Sequence, residues 1–94
     1  MSRLAALLLI PVLSLAQEDA KARARSIRTL AERGSEAMPQ LAQLLSGPDL
    51  NARLEAVKAV VSIGTQHSLN PLMKALQDSD QEIQIRAIDG LVNF

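Results

Sequence analysis

The sequence contains no cysteine, tryptophan or tyrosine, and its only aromatic residue is Phe94. Without cysteine, disulfide bonds, thiolate catalysis and zinc–cysteine sites are excluded. The lack of stacking aromatics disfavours a platform for single-stranded nucleic acid and removes the usual anchors of a tight protein interface. The ten basic and ten acidic residues cancel, so the chain as a whole has no net attraction to nucleic acid or to an anionic membrane.

The first residues of the chain have the layout of a secretory signal peptide. A positively charged start precedes an apolar run from Leu4 to Leu13, and the small residues Ser14 and Ala16 follow it. The run is shorter than the roughly 20 residues that a membrane-spanning helix needs. We therefore predict a signal peptide over residues 1–16, cleaved after Ala16, and an exported domain over residues 17–94, periplasmic or secreted and without a membrane anchor. An uncleaved anchor and a buried core helix are the alternatives.

The 94 residues are 48% hydrophobic, enough for one small domain, and the stretch from Leu50 to Ile63 is its best-defined predicted helix. It follows Asp49, a good N-cap residue, and ends before Gly64. Its polar residues recur at helical spacing and form one narrow stripe, which consists of Asn51, Glu55, Lys58 and Ser62. A helix that is apolar around the rest of its circumference needs neighbours on both sides.

Weaker copies of this stretch lie before and after it. Asp80 follows Asp49 by 31 residues, and Asp19 precedes it by 30. At these offsets the apolar and polar positions largely coincide, which indicates an internal repeat. The segments 36–46 and 66–77 predict shorter helices between the long ones, because their apolar residues recur at three- and four-residue spacing.

The repeating unit is therefore a long helix, a tight turn and a short helix, and it occurs about two and a half times. Residues 19–94 resemble the HEAT-repeat family, in particular the short bacterial HEAT-like repeats of the PBS-lyase type. The resemblance is carried by the Asp49-x-x-x-Arg53 and Ala56-x-x-Ala59-Val60 spacings. It implies an all-α fold, an α-solenoid of stacked antiparallel helix pairs. It also implies a structural ladder formed by Asp19, Arg23, Asp49, Arg53 and Asp80. In this ladder each arginine is expected to bridge to the aspartate of the next repeat, and each aspartate stands at a helix N-cap.

The resemblance further implies a non-enzymatic protein-interaction or scaffold module without a cofactor. The identity of the protein partner cannot be read from the residues. Short helices line the concave face in HEAT-like stacks, so the residues expected to contact a partner are Gln40, Gln43, His67, Asn70, Lys74 and Gln77. We expect no catalytic or metal-binding residues, because the single histidine has no second ligand at metal-binding spacing.

Two alternative functions follow from other features. A bilin-lyase-like protein that handles a tetrapyrrole would fit the same family, although an export signal counts against it. The basic first long helix, with Arg25 and Arg28, could instead dock an acidic partner or a phosphate backbone. The zero net charge counts against nucleic acid, which we do not expect as a partner.

The last predicted helix lacks the polar face that a terminal repeat needs. One apolar side carries Ile83 and Ala87. A second apolar side, on which nothing in the sequence packs, carries Ile85, Ile88 and Val92. Three explanations are open: the chain is a fragment of a longer array, it self-associates through the helix at 83–94, or this helix is frayed.

Overall fold

The computed structural model describes residues 12–94, with side chains from Asp19 onward, and this part of the chain is all-α. The α-helices are α1 (Val12–Glu32), α2 (Met38–Leu45), α3 (Leu50–Ile63), α4 (Leu69–Ala75) and α5 (Gln81–Val92). Single 3₁₀ turns at Gly34–Ala37 and Gln66–Ser68 lead into α2 and α4. The predicted fold class is confirmed, and most of the predicted signal peptide lies outside the described residues.

The ends of α3 form as the sequence predicts. The Asp49 side chain accepts a hydrogen bond from the backbone N–H of Asn51 at 3.2 Å and so caps the first turn. Gly64 ends the helix with φ of 61°, and Gly34 follows α1 with φ of 66°. Both glycines adopt the left-handed conformation, which is strained for residues with a Cβ, and both turns depend on it.

The start of the first long helix differs from the prediction. α1 begins at Val12 rather than at Asp19, so Asp19 lies inside the helix and is not an N-cap. The repeat comparison predicts a start at Asp19 because this residue is equivalent to Asp49 and Asp80, and those two aspartates do cap their helices. In α1 the preceding residues continue the helix, since Val12 to Ala16 contain no glycine or proline to stop it.

The helices form two layers. The long helices α1, α3 and α5 pack side by side, while α2 and α4 lie against α3 and α5 as the second layer. The middle helix α3 contacts all four of the others, which is why its apolar surface is broad. The buried core runs through both layers and comprises Ile27, Ala37, Met38, Leu41, Leu45, Ala56, Val57, Ala59, Val60, Leu72, Ala75, Ile83 and Ala87.

Candidate partner-binding site

An open cleft of about 410 Å³ lies between α1, α2 and the turn that leads into α3. Its apolar lining consists of Leu30, Leu44, Pro48 and Ala52. Its polar lining consists of Arg23, Gln40, Gln43 and Asp49, together with the backbone at Gly47. An apolar depression with a few polar groups at its edge is the usual form of a site that binds a side chain or a short peptide segment.

The two glutamines reach this cleft because of the register of α2. Leu41 and Leu45 are buried on the side of α2 that faces the core. Gln40 and Gln43 are three residues apart, so they share the opposite, exposed side of the helix. Pro39 fits in the first turn, where the missing N–H leaves no hydrogen bond unmade.

The other residues predicted on the short helices fall into two groups. Lys74 and Gln77 line a smaller depression of about 210 Å³ beside Leu45 and Asp78, and Lys74 Nζ also contacts the Ser46 hydroxyl. His67 and Asn70 are exposed near the start of α4 and line neither depression. The structure therefore brings the two glutamines of α2 together but does not join all six predicted residues into one site.

Arg25 and Arg28, the two residues of α1 predicted to dock an anionic partner, do not line one cleft. Arg28 lines a cleft of about 350 Å³ between α1 and α3, where it lies near Lys58 and Glu55. Lys58 Nζ is 3.7 Å from a Glu55 carboxylate oxygen, so a negative charge sits within this cleft. Arg25 is exposed on α1 and does not line that cleft. Because the carboxylate offsets the field of the cations, the geometry gives the phosphate-docking hypothesis no specific support.

At the edge of the first cleft, Arg23 and Asp49 form the first rung of the predicted ladder. Arg23 Nη2 lies 3.5 Å from Asp49 Oδ2, and the side chains are 57% and 36% exposed. The Asp49 Oδ2 atom itself is buried and accepts no hydrogen bond, so this ion pair is its only polar contact among the described residues. A pair this exposed and this long contributes at most about 1 kcal/mol to stability.

The second rung differs from the prediction. Arg53 pairs with Asp78 rather than with Asp80, with its Nε 3.0 Å from Asp78 Oδ2. Asp80 instead caps α5, where its carboxylate accepts the backbone N–H of Ile83 at 3.1 Å. Asp19 is also outside the ladder, since it forms no ion pair within the described part of the chain.

These contacts connect consecutive helix pairs through arginines at matching positions of the repeat, which is the organisation of a stacked-repeat protein. Sequence comparison identifies the kind of repeat, because the sequence profile of the family described as HEAT repeats matches residues 7–92. The chain belongs to the HEAT-repeat family. Comparison with curated proteins and with solved structures gave no significant match. HEAT repeats generally mediate protein–protein interaction or scaffolding and are typically non-catalytic.

The HEAT framework explains how Gln84 replaces the arginine of the preceding repeat. Arg53 Nη1 donates to the backbone carbonyls of Gly47 and Pro48, each at 3.2 Å, and so holds the turn before α3. Gln84 stands 31 residues later, and its amide nitrogen donates to the carbonyl of Asp78 in the corresponding turn. The glutamine thus keeps the contact with the turn and gives up only the ion pair.

The described part of the chain contains neither a membrane-spanning helix nor a cluster of metal ligands. No described helix of this HEAT-repeat chain combines the length and the apolar character that crossing a bilayer requires. No three histidine, aspartate or glutamate side chains between residues 19 and 94 are grouped so that they could hold a metal ion.

Proposed function

We propose that this chain is a non-enzymatic HEAT-repeat module that binds a protein partner in the cleft between α1 and α2. One observation supports this proposal above the others: the cleft joins an open apolar lining to the two exposed amides of Gln40 and Gln43. An apolar centre with a polar rim is the composition of a protein-binding surface. The remaining short-helix residues, Lys74 and Gln77 included, would widen the contact along the same layer.

The chemistry of the cleft defines the partner segment. Leu30 and Leu44 favour an aliphatic side chain of the partner, which would leave water on binding. Each glutamine amide both donates and accepts hydrogen bonds, so Gln40 and Gln43 can pair with a peptide backbone. The cleft contains no tryptophan or tyrosine, the residues that dominate high-affinity interfaces. We therefore expect modest affinity, with a Kd on the order of 1 µM to 100 µM.

A peptide selection tests this proposal. A random peptide library is selected on the immobilised chain, and the enriched peptides are measured by isothermal titration calorimetry against the wild type and Gln43→Arg. We expect the enriched sequences to carry an aliphatic residue, and Gln43→Arg to weaken their binding at least tenfold, because the larger cation obstructs the cleft.

The matched control is Gln81→Arg, which makes the same change at an exposed position at the start of α5. Peptides that bind Gln43→Arg as well as they bind Gln81→Arg would show that the cleft is not the binding site. Leu44→Asp is a second variant in the same cleft. It should abolish binding of an aliphatic side chain by placing a charge in the apolar lining.

We further propose that the protein is exported and processed after Ala16. The charged start, the short apolar run and the small residues before Gln17 support this. The HEAT-repeat match begins at residue 7 and α1 at Val12, so cleavage would remove the first residues of α1 and leave the helix from Gln17 to Glu32. N-terminal sequencing of the protein from cell fractions tests this. A mature chain that begins at Gln17 outside the cytoplasm is the expected result, and a full-length chain in the cytosol contradicts it.

A further inference from the structure

The last helix pair exposes two apolar stripes. On α5 the stripe consists of Ile85, Ile88 and Val92, which are 50%, 48% and 77% exposed. On α4 and its C-cap residue it consists of Leu69, Met73 and Leu76, which are 40%, 52% and 37% exposed. Within each helix the spacing of three or four residues places the members on one side. We call these six side chains the end face.

The equivalent stripe in the preceding repeat shows which kind of surface packs on the end face. The residues 31 positions before the α5 stripe are Leu54, Val57 and Val61 of α3. Val57 is fully buried, and Val61 Cγ2 lies only 2.8 Å from the place that a Cβ on Gly90 would occupy. In the middle of the chain this stripe is thus covered by the next long helix, which approaches closely because it presents small residues. The end face is the next copy of that surface.

The opposite end of the molecule presents the matching small residues. The positions equivalent to Ala87 and Gly90 of α5 are Ala56 and Ala59 in α3 and Ser26 and Thr29 in α1. Ser26 and Thr29 are exposed, together with Ala22 one turn earlier. The Thr29 hydroxyl already donates to the Arg25 carbonyl at 2.9 Å, so covering it would not strand that donor.

The charges around the two ends are opposite in sign. Glu82 and Asp89, both exposed, adjoin the end face on α5, and Arg86 of the same helix pairs with Glu82 at 3.3 Å. Arg25 and Arg33, both exposed, adjoin the small residues of α1, and the exposed Asp19 lies three residues before Ala22. The charge that remains is therefore acidic beside the end face and basic beside α1. Contact between two end faces would bring like charges together, while contact between an end face and α1 of another molecule pairs acidic with basic groups. Charge complementarity therefore favours head-to-tail contact over a symmetric dimer.

The end face is also suited to hold a partner. Its six side chains are 37% to 77% exposed, and an exposed group of apolar side chains of this kind is typical of a protein interaction site. We propose that a second copy of this chain covers the end face, with its α1 placed on the α5 stripe as α5 is placed on α3. Such a contact is heterologous and leaves one end of each molecule free, so it propagates into open-ended stacks. It is independent of the cleft between α1 and α2.

Sedimentation velocity of the 94-residue chain over a concentration series tests this proposal. We expect the weight-average mass to rise with concentration and to pass the dimer without a plateau. Val92→Asp on the end face and Ser26→Arg on α1 should each weaken association at least tenfold. Both positions are exposed, so circular dichroism should show unchanged helix content, and Ile88→Asp provides a second end-face variant.

Mixing the variants separates head-to-tail contact from the alternatives. Val92→Asp keeps an intact α1 and Ser26→Arg keeps an intact end face, so an equimolar mixture should form dimers and stop there. A symmetric end-face dimer would instead survive Ser26→Arg. That result would overturn the proposal, as would a wild type that stays monomeric at every concentration. Association that persists in both variants would place the contact elsewhere. Lys58→Ala, on the side of the stack, is the control and should associate like the wild type.

Discussion

At the scale of single residues, a substitution of Val60 gives the most direct test of the stacked arrangement. It is fully buried in α3, and its carbonyl accepts both the Gly64 N–H and the hydroxyl of buried Ser68 at 2.9 Å. Val60→Asp would bury an unpaired carboxylate at this point, which costs more than the total stability of many small domains. We expect loss of the cooperative thermal transition in circular dichroism. Lys58→Ala, two residues earlier and partly exposed, should change the free energy of unfolding by less than about 0.5 kcal/mol. An unchanged melting curve for Val60→Asp would contradict the stack.

Gly90 is unfavourable in a helix, and the sequence alone gives no reason for it. The structure does: a Cβ at this position would lie 2.8 Å from Val61 Cγ2 and 3.0 Å from Leu72 Cδ1. Gly90→Ala gains about 1 kcal/mol of helix propensity but overpacks the core, which costs about 1–3 kcal/mol. Val61 is β-branched, so its side chain cannot easily move away from a new methyl group. We therefore expect the free energy of unfolding, measured by chemical denaturation, to fall by about 1 kcal/mol. In a Val61→Ala background the crowding is relieved, and the same change should become stabilising. If Gly90→Ala is stabilising in the wild type as well, the close packing of α5 on α3 is wrong.

At the scale of helices, Arg53 connects two turns that are far apart in sequence. Its guanidinium binds the Asp78 carboxylate and the carbonyls of Gly47 and Pro48, and the side chains of Arg53 and Asp78 are 16% and 8% exposed. Arg53→Ala leaves a nearly buried carboxylate without its cation, and we expect a loss of about 3 kcal/mol in urea denaturation. Arg23→Ala is the matched comparison, because its pair with Asp49 is exposed and long. It should cost less than about 1 kcal/mol. Equal losses for the two variants would mean that burial does not determine the strength of the ladder.

The sequence predicted the helices better than the contacts between them. Helix α3 was predicted between Asp49 and Gly64 because its capping residues act locally. The repeat comparison predicts Asp80 as the ladder partner of Arg53, whereas the structure shows Asp78. The comparison fails here because it assigns one role to equivalent positions. Position 78 corresponds to Gly47 in the preceding repeat. Because Gly47 has no side chain, the repeat comparison gives no reason to expect that Asp78 pairs with Arg53. The path of the turn determines which of two nearby aspartates pairs with an arginine. That path depends on how the helices pack.

At the scale of the whole molecule, the two-layer stack followed from periodicity, but the cleft between α1 and α2 did not. The glutamines could be placed on an exposed side of a short helix by spacing alone. Their proximity to Leu30 on α1 depends on how closely α1 and α2 approach, which spacing does not report. The α5 part of the end face, in contrast, is visible in the sequence as a second apolar side on one helix. Surfaces that lie along a single element are thus predictable from sequence, whereas surfaces shared between elements need the structure.

A stack of this kind should not be equally stable along its length. Each helix pair is stabilised by its neighbours, so α3, with helices on both sides, should open least often. We expect native-state hydrogen exchange at low protein concentration to give the slowest amides around Val57 and Val60 and faster ones throughout α5. If copies stack head to tail, raising the concentration should slow exchange in α5 while leaving α3 unchanged, because only the end face gains a neighbour. In Val92→Asp that concentration dependence should disappear. Uniform protection of α3 and α5 at low concentration would instead show a single cooperative unit, in which the terminal repeat needs no neighbour to remain folded.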